Sequence, residues 1–154
     1  MLRLSAAARY GLSLAIEVGR QGQDSVLSLG EVSRRTGISR RYLDKLAAAM
    51  REHALIVGHN GRRGGYKLAR AATGITLADI IEATSGPVNI VECVLHPGCC
   101  KRSADCPCRA VYQVANARVL ETLNSIRLSD LVESARQVPH QVWACPPGMV
   151  ASVV

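Results

Sequence analysis

Ser28-Leu-Gly-Glu-Val-Ser-Arg-Arg-Thr-Gly37-Ile-Ser39-Arg-Arg-Tyr42-Leu-Asp-Lys-Leu46-Ala-Ala-Ala-Met50-Arg is the stretch that decides the fold. Ser28 and Glu31 stand at capping-box spacing, which opens a short helix burying Leu29 and Val32. Gly37 supplies a turn, and Ser39 caps a second helix whose inward face is Tyr42, Leu43, Leu46 and Met50. Two helices joined by a tight glycine turn make a helix-turn-helix. The second helix carries Arg40, Arg41 and Lys45 near its N-terminal end, the end that enters the DNA major groove in this motif. Ser39, Arg40, Arg41, Tyr42 and Lys45 are therefore the candidate DNA contacts. Arg40 or Arg41 can fork onto guanine edges, and Lys45 can reach phosphate. The competing reading is an ordinary helical hairpin with basic decoration.

The next stretch weighs against that alternative. In Leu55-Ile-Val-Gly-His-Asn60-Gly61-Arg62-Arg63-Gly64-Gly65-Tyr66-Lys-Leu68, two short apolar runs flank an Asn-Gly turn, a hairpin signal. A basic hairpin behind a helix-turn-helix is a wing, with Arg62 and Arg63 along phosphate or in a narrow minor groove. Charge follows the same division. Residues 1–70 hold thirteen Lys/Arg against five Asp/Glu, whereas residues 71–154 hold six against seven. All of the net charge of +7 therefore lies in the first half, as expected of a nucleic-acid-binding unit joined to something else.

Around this centre the pattern is helical. Leu4, Ala8, Leu12, Ala15 and Ile16 predict a helix over 4–21 with Ser5 as its cap, and Val26-Leu27 reads as a strand end. Thr76 and Asp79 open another helix that Gly86-Pro87 ends. Val111, Val114, Val119, Leu120, Leu123, Ile126 and Leu131 predict one long helix from Arg109 to Leu131, read as a dimerisation helix. The fold class expected is mainly α with a small β-hairpin wing. The divisions are a winged helix-turn-helix domain over 1–87, a cysteine-rich loop over 88–108, a dimerisation helix over 109–136 and a flexible tail over 137–154.

Five of the six cysteines fall between Cys93 and Cys108, with His96 among them. A loop broken by Pro97, Gly98 and Pro107 lets Cys93, Cys99, Cys100, Cys106 and Cys108 converge. Clustered thiols suit a soft metal, either an iron–sulfur cluster or zinc. The N-terminus lacks a secretory pattern and no apolar run spans a bilayer, so the expected compartment is a reducing cytoplasm, with metal or thiol chemistry favoured over structural disulfides. Cys145 and His140 in the tail read as isolated groups. Enzymatic function is not expected: His96 lies near Cys93 and Cys99 without an orienting Asp or Asn, and no phosphate-cradling loop exists.

These residues together carry a family resemblance. Arg9-Tyr10, Gly37-Ile-Ser-Arg-Arg-Tyr-Leu-Asp-Lys-Leu46, Gly64-Gly65-Tyr66-Lys-Leu68-Ala, Ile75-Thr-Leu-Ala-Asp-Ile-Ile81 and the cysteine loop resemble the IscR/NsrR family of winged-helix transcriptional regulators. The match runs from about residue 1 to about residue 134. The resemblance implies a homodimer on promoter DNA with a two-iron or four-iron cluster near the dimer interface. Cluster state would then set promoter affinity in response to iron, nitric oxide or redox state. Family spacing, with five residues between the second and third cysteines, selects Cys93, Cys100 and Cys106; the competing set is Cys93, Cys99 and Cys106. The fourth ligand departs from the family. Arg109 stands where one branch has histidine, and Arg9 stands where another has an aspartate donated by the partner. Cys108, Cys99 or His96 could substitute, as could Glu17 of the partner subunit. The alternative mechanism is a clusterless thiol–disulfide switch at Cys99/Cys100 and Cys106/Cys108.

Overall fold

The computed structural model describes residues 4–22, 25–61, 64–102 and 105–137. Helix α1 (Ala6–Arg20) begins where Ser5 Oγ accepts the Ala8 N–H at 3.0 Å. Helix α2 (Leu29–Thr36) begins where Ser28 Oγ accepts the Glu31 N–H at 3.2 Å. The Glu31 carboxylate, which would complete the expected capping box, is instead taken by Arg34 and Arg35. Gly37 closes the turn at φ +72°, a left-handed conformation that costs glycine nothing. Ser39 then caps α3 (Arg40–Glu52), accepting the Tyr42 N–H at 3.4 Å.

The three helices share a core of Leu14, Val18, Leu29, Val32, Leu43 and Met50, all essentially removed from solvent. With no Phe in the chain, tyrosines supply the aromatic contribution: Tyr10, Tyr42 and Tyr66 pack against the core, and the Tyr10 and Tyr42 rings meet edge to face at 5.7 Å. Strands β1 (Ile56–His59) and β2 (Gly65–Leu68) pair antiparallel, Ile56 opposite Leu68 and His59 opposite Gly65. The Val26-Leu27 strand end is also realised. Leu27 and Tyr66 exchange two backbone hydrogen bonds, each 2.9 Å, so the hairpin is joined to the chain entering α2. Gly65 makes that approach possible, because a Cβ there would stand 2.6 Å from the Leu27 carbonyl. The fold is a winged helix-turn-helix.

Helix α4 (Leu77–Ser85) has the full capping box: Thr76 Oγ1 accepts the Asp79 N–H at 3.0 Å, and Asp79 accepts the Thr76 N–H at 2.9 Å. Arg70 pairs with the same carboxylate at 2.9 Å, tying the strand exit to α4. A short α5 (Glu92–Leu95) and a single tight turn at Pro97–Cys99 follow, then α6 (Pro107–Ser125) and α7 (Leu128–Gln137).

The single helix expected from Arg109 to Leu131 is two helices. Ile126 leaves the helix, its carbonyl accepting the Leu77 N–H at 3.0 Å, and Leu128 N–H donates to the Ile75 carbonyl at 2.9 Å. Thr76 and Arg127 form the bridge between them, and Asp130 accepts the Arg127 N–H at 3.0 Å. The break is thus made by pairing with the start of α4, fifty residues earlier. Helix α7 then turns back and buries Leu128, Val132 and Ala135 against α1 in the main core. The expectations placed on Arg62, Arg63, His140, Cys145 and the tail lie outside the described residues.

Candidate nucleic-acid interface and cysteine loop

The outer face of α3 presents Arg40, Arg41, Asp44 and Lys45, all exposed. Leu43, Leu46, Ala47 and Met50 hold the opposite face in the core, so the basic side is fixed outward by burial of the apolar one. Arg40 Nε lies 3.3 Å from Asp44 Oδ1 on the next turn. Arg41 and Lys45 have no ion pair among the described residues, which leaves their charge available to a polyanion. Ser39 is occupied as the helix cap but remains exposed. Tyr42, expected among the contacts, turns its ring onto Tyr10 and fastens α3 to α1.

Between α3 and the hairpin runs an open groove of about 380 Å³, lined by Arg40, Arg51, Val57, His59, Asn60 and Tyr66 among others. Arg51 and His59 escaped the sequence reading. Arg51 lies eleven residues after Arg40, three helical turns, so helical periodicity already placed both on one face. Behind this surface, Arg35 bonds Glu31 at 2.9 Å and Glu17 at 3.2 Å. The Arg35 hydrogen bond holds the Glu31 carboxyl below its ordinary range, against a smaller opposing effect of burial and with help from the charge of Arg34.

The cysteine loop is built differently. Cys93 and Cys106 are half-buried, whereas Cys99, Cys100 and Cys108 are exposed, and all five are free thiols. Cys106 is the N-terminal flanking residue of α6, with Pro107 in the first helical position and Cys108 in the next. Arg109 Nε donates to the Cys93 carbonyl at 3.0 Å, so the residue standing at a family ligand position ties the two ends of the loop together. His96 faces Glu92 at 3.5 Å. Glu17 is buried and paired with Arg20 at 3.5 Å through one carboxylate oxygen and with Arg35 at 3.2 Å through the other. Arg9 is exposed and lies beside its neighbouring Tyr10 ring.

The donor set suits a thiophilic group in kind, since soft thiolates are the ligands such groups take. Among the described residues, however, no three His, Cys, Asp or Glu side chains come together closely enough to hold a metal ion. Cys93, Cys100 and Cys106 therefore share a loop without being gathered to a point.

Helix α6 splits the apolar stripe expected of it. Val119, Leu120 and Leu123 are half-buried, while Val111 and Val114 are each 65% exposed on the opposite side. Tyr112 is also exposed, and the one buried residue of this helix is Asn116. No helix among the described residues is long and apolar enough to cross a membrane.

Comparison with known proteins agrees with this architecture. Residues 4–134 match the Rrf2 family, described as an iron-dependent transcriptional regulator. The protein Rrf2 of Nitratidesulfovibrio vulgaris is 31% identical over 146 residues, covering 95% of this chain and 97% of that protein. Among solved structures, CymR, the global cysteine regulator of B. subtilis, superposes with a TM-score of 0.72 at 29% identity, covering 87% of this chain and 98% of the other. The IscR of T. potens gives a TM-score of 0.70 at 26% identity, covering 87% and 88%. Such relatives are regulators, not enzymes.

Proposed function

The chain belongs to the Rrf2 family of transcriptional regulators, and from that premise we propose that it is a homodimeric, promoter-binding regulator whose DNA affinity is set by the chemistry of the Cys93–Cys108 loop. The observation that carries the reading is the pairing, in one small chain, of an outward basic face on α3 with a five-thiol loop tied to the base of α6. Arg41 and Arg40 read base edges, Lys45 and Ser39 hold phosphate, and the hairpin with Arg62 and Arg63 follows the adjoining backbone. Two such heads, joined through the exposed Val111 and Val114 face of α6, bind a two-fold operator in the cytoplasm.

In the leading form of this reading, Cys93, Cys100 and Cys106 hold an iron–sulfur cluster, with Cys108, Cys99 or His96 as fourth ligand. When bound, the cluster supplies redox-active iron that reacts with oxidants and nitric oxide. The likeness to IscR and the family description support it. A second reading, a thiol switch without metal, is favoured by the exposure of Cys99, Cys100 and Cys108 as free thiols and by the likeness to a cysteine regulator. Anaerobic purification with visible spectroscopy and iron and sulfide counting separates the two. A coloured protein with matched iron and sulfide supports the cluster, whereas a colourless, metal-free protein with oxidant-reversible DNA binding supports the switch. Failure to enrich any operator from random duplexes would sink both.

A further inference from the structure

A helix of nineteen residues with one buried side chain is unusual, and here that side chain is an amide. Asn116 is 4% exposed. Its Oδ1 accepts the Ile90 N–H at 3.0 Å, and its Nδ2 donates to the Val88 carbonyl at 3.4 Å. One side chain thus satisfies two main-chain groups of the segment that leads into the cysteine loop, with Cys93 three residues beyond Ile90. Seven residues earlier on the same face of α6, Arg109 holds the Cys93 carbonyl. Helix α6 thus bonds the segment 88–90 through Asn116 and the start of the cysteine loop through Arg109.

Packing holds this segment only in part, with Val88, Asn89, Ile90 and Val91 half-buried. An apolar cleft of about 340 Å³ lies beside it, lined by Leu4, Ile81, Val88, Ile90, Val119 and Leu123. On the upstream side, Gly86 leaves α4 at φ +82°, ψ −177°, a conformation essentially confined to glycine, and Pro87 follows. The segment 86–91 is therefore a strap that leaves α4 at Gly86, borders this cleft and is bonded to α6 by the Asn116 amide.

We propose that Asn116 is the positioning residue that couples the state of the cysteine loop to the DNA-reading half. It keeps the strap seated on α6, so that a change at Cys93 moves α4 and α6 together. Without the amide, the loop changes state while the strap slackens at Gly86 and the signal is lost. This rests on the reading of the loop as the sensor.

The test measures operator affinity of the full-length chain, in a Cys145→Ser background, before and after treatment with N-ethylmaleimide. In the parent, treatment is expected to change the dissociation constant by about tenfold or more. In Asn116→Ala that ratio collapses to below about twofold, and hydrogen exchange at the Ile90 amide accelerates while amides of α1 and α3 keep their protection. Asn116→Asp keeps the acceptor for Ile90 and loses the donor to Val88, so it gives an intermediate ratio and carries the test if the alanine variant does not fold. A merely structural role would lower thermal stability and weaken binding equally in both states; an unchanged ratio in either folded variant overturns the coupling alone. A parent that ignores the reagent overturns the sensor reading and the coupling with it.

Discussion

The helix-turn-helix half and the α6 half of this chain are assembled on opposite plans. In the first, nearly every helix has an apolar face sealed in a common core, and Leu14, Val18, Leu43 and Met50 are fully shielded. In the second, α6 leaves Val111 and Val114 in solvent and seats one polar residue. A helix gains most of its stability from packing an amphipathic face. The first half is thus secured by a core to which α4 and α7 add Ile80, Leu128 and Ala135, whereas α6 leaves an apolar face that a further surface or a ligand would complete. On the proposed reading, a regulator profits from that division: the reading head keeps one shape, while the thinly packed half answers to the chemistry of the cysteine loop.

The sharpest way to break this contrast is to charge the open face of α6. Val111→Asp with Val114→Asp should leave the circular dichroism and thermal transition of the head intact, convert the dimer to monomer by light scattering, and weaken operator binding by about 10²–10⁴-fold as the linkage between two heads is lost. A variant that stays dimeric would show that another surface joins the subunits. Leu43→Ala tests the opposite half. Removing a fully buried leucine should cost about 2–5 kcal/mol in denaturant unfolding, whereas Val114→Ala should fall within about 0.5 kcal/mol for the isolated subunit. Equal losses at the two positions would erase the distinction drawn here.

Within the head, the two kinds of basic residue should also separate. Arg41→Ala should lower discrimination between operator and random DNA by about 1–3 kcal/mol, while Lys45→Ala should weaken both about equally and reduce the salt slope by about one. Competition binding over a salt series reads both quantities, and a uniform loss for Arg41→Ala would move it from base reading to phosphate binding.

The smallest effect belongs to Glu31. Its carboxyl is depressed in the folded chain, chiefly by the Arg35 hydrogen bond, from an ordinary value of 4.5. A depressed acid contributes stability that is fully present above its unfolded pKa and is lost as pH falls through the folded one. Glu31→Gln should therefore lower thermal stability slightly at pH 7 and differ less from the parent as pH drops below about 4.5. A gap that persists unchanged at pH 3 would assign the effect to packing rather than charge.

What could be read in advance tracks how local each feature is. The Ser28 and Ser39 caps, the Gly37 turn, the hairpin and the Thr76/Asp79 box each depend on residues within a few positions, and each is present, although the strands stop at His59 and resume at Gly65, so the connection is longer than an Asn60-Gly61 turn. The break at Ile126 was not legible, because it is imposed by Ile75 and Leu77 from across the fold, while Leu120, Leu123, Ile126 and Leu131 keep helical spacing through it. Asn116 gave no signal for a related reason. An asparagine in a helix reads as solvated until the strap it holds is known. Arg51 was within reach, since three helical turns bring it beneath Arg40 beside the groove. In the cysteine loop the sequence shows five thiols within sixteen residues but not how they are arranged, which depends on the turns at Pro97 and Pro107.

The join between Leu27 and Tyr66 sets a boundary on how such a protein evolves. Two backbone bonds and a glycine fix the hairpin to the start of α2, and backbone bonds carry no side-chain identity. Val57 and Lys67, whose side chains take no part in that join, are thus free to drift without disturbing how the head is built. On the proposed reading, the preferred operator can change by substitution on α3 and the stimulus by substitution between Cys93 and Cys108, and neither change touches this join. A lineage holding this frame can retarget its genes and its signal on separate schedules.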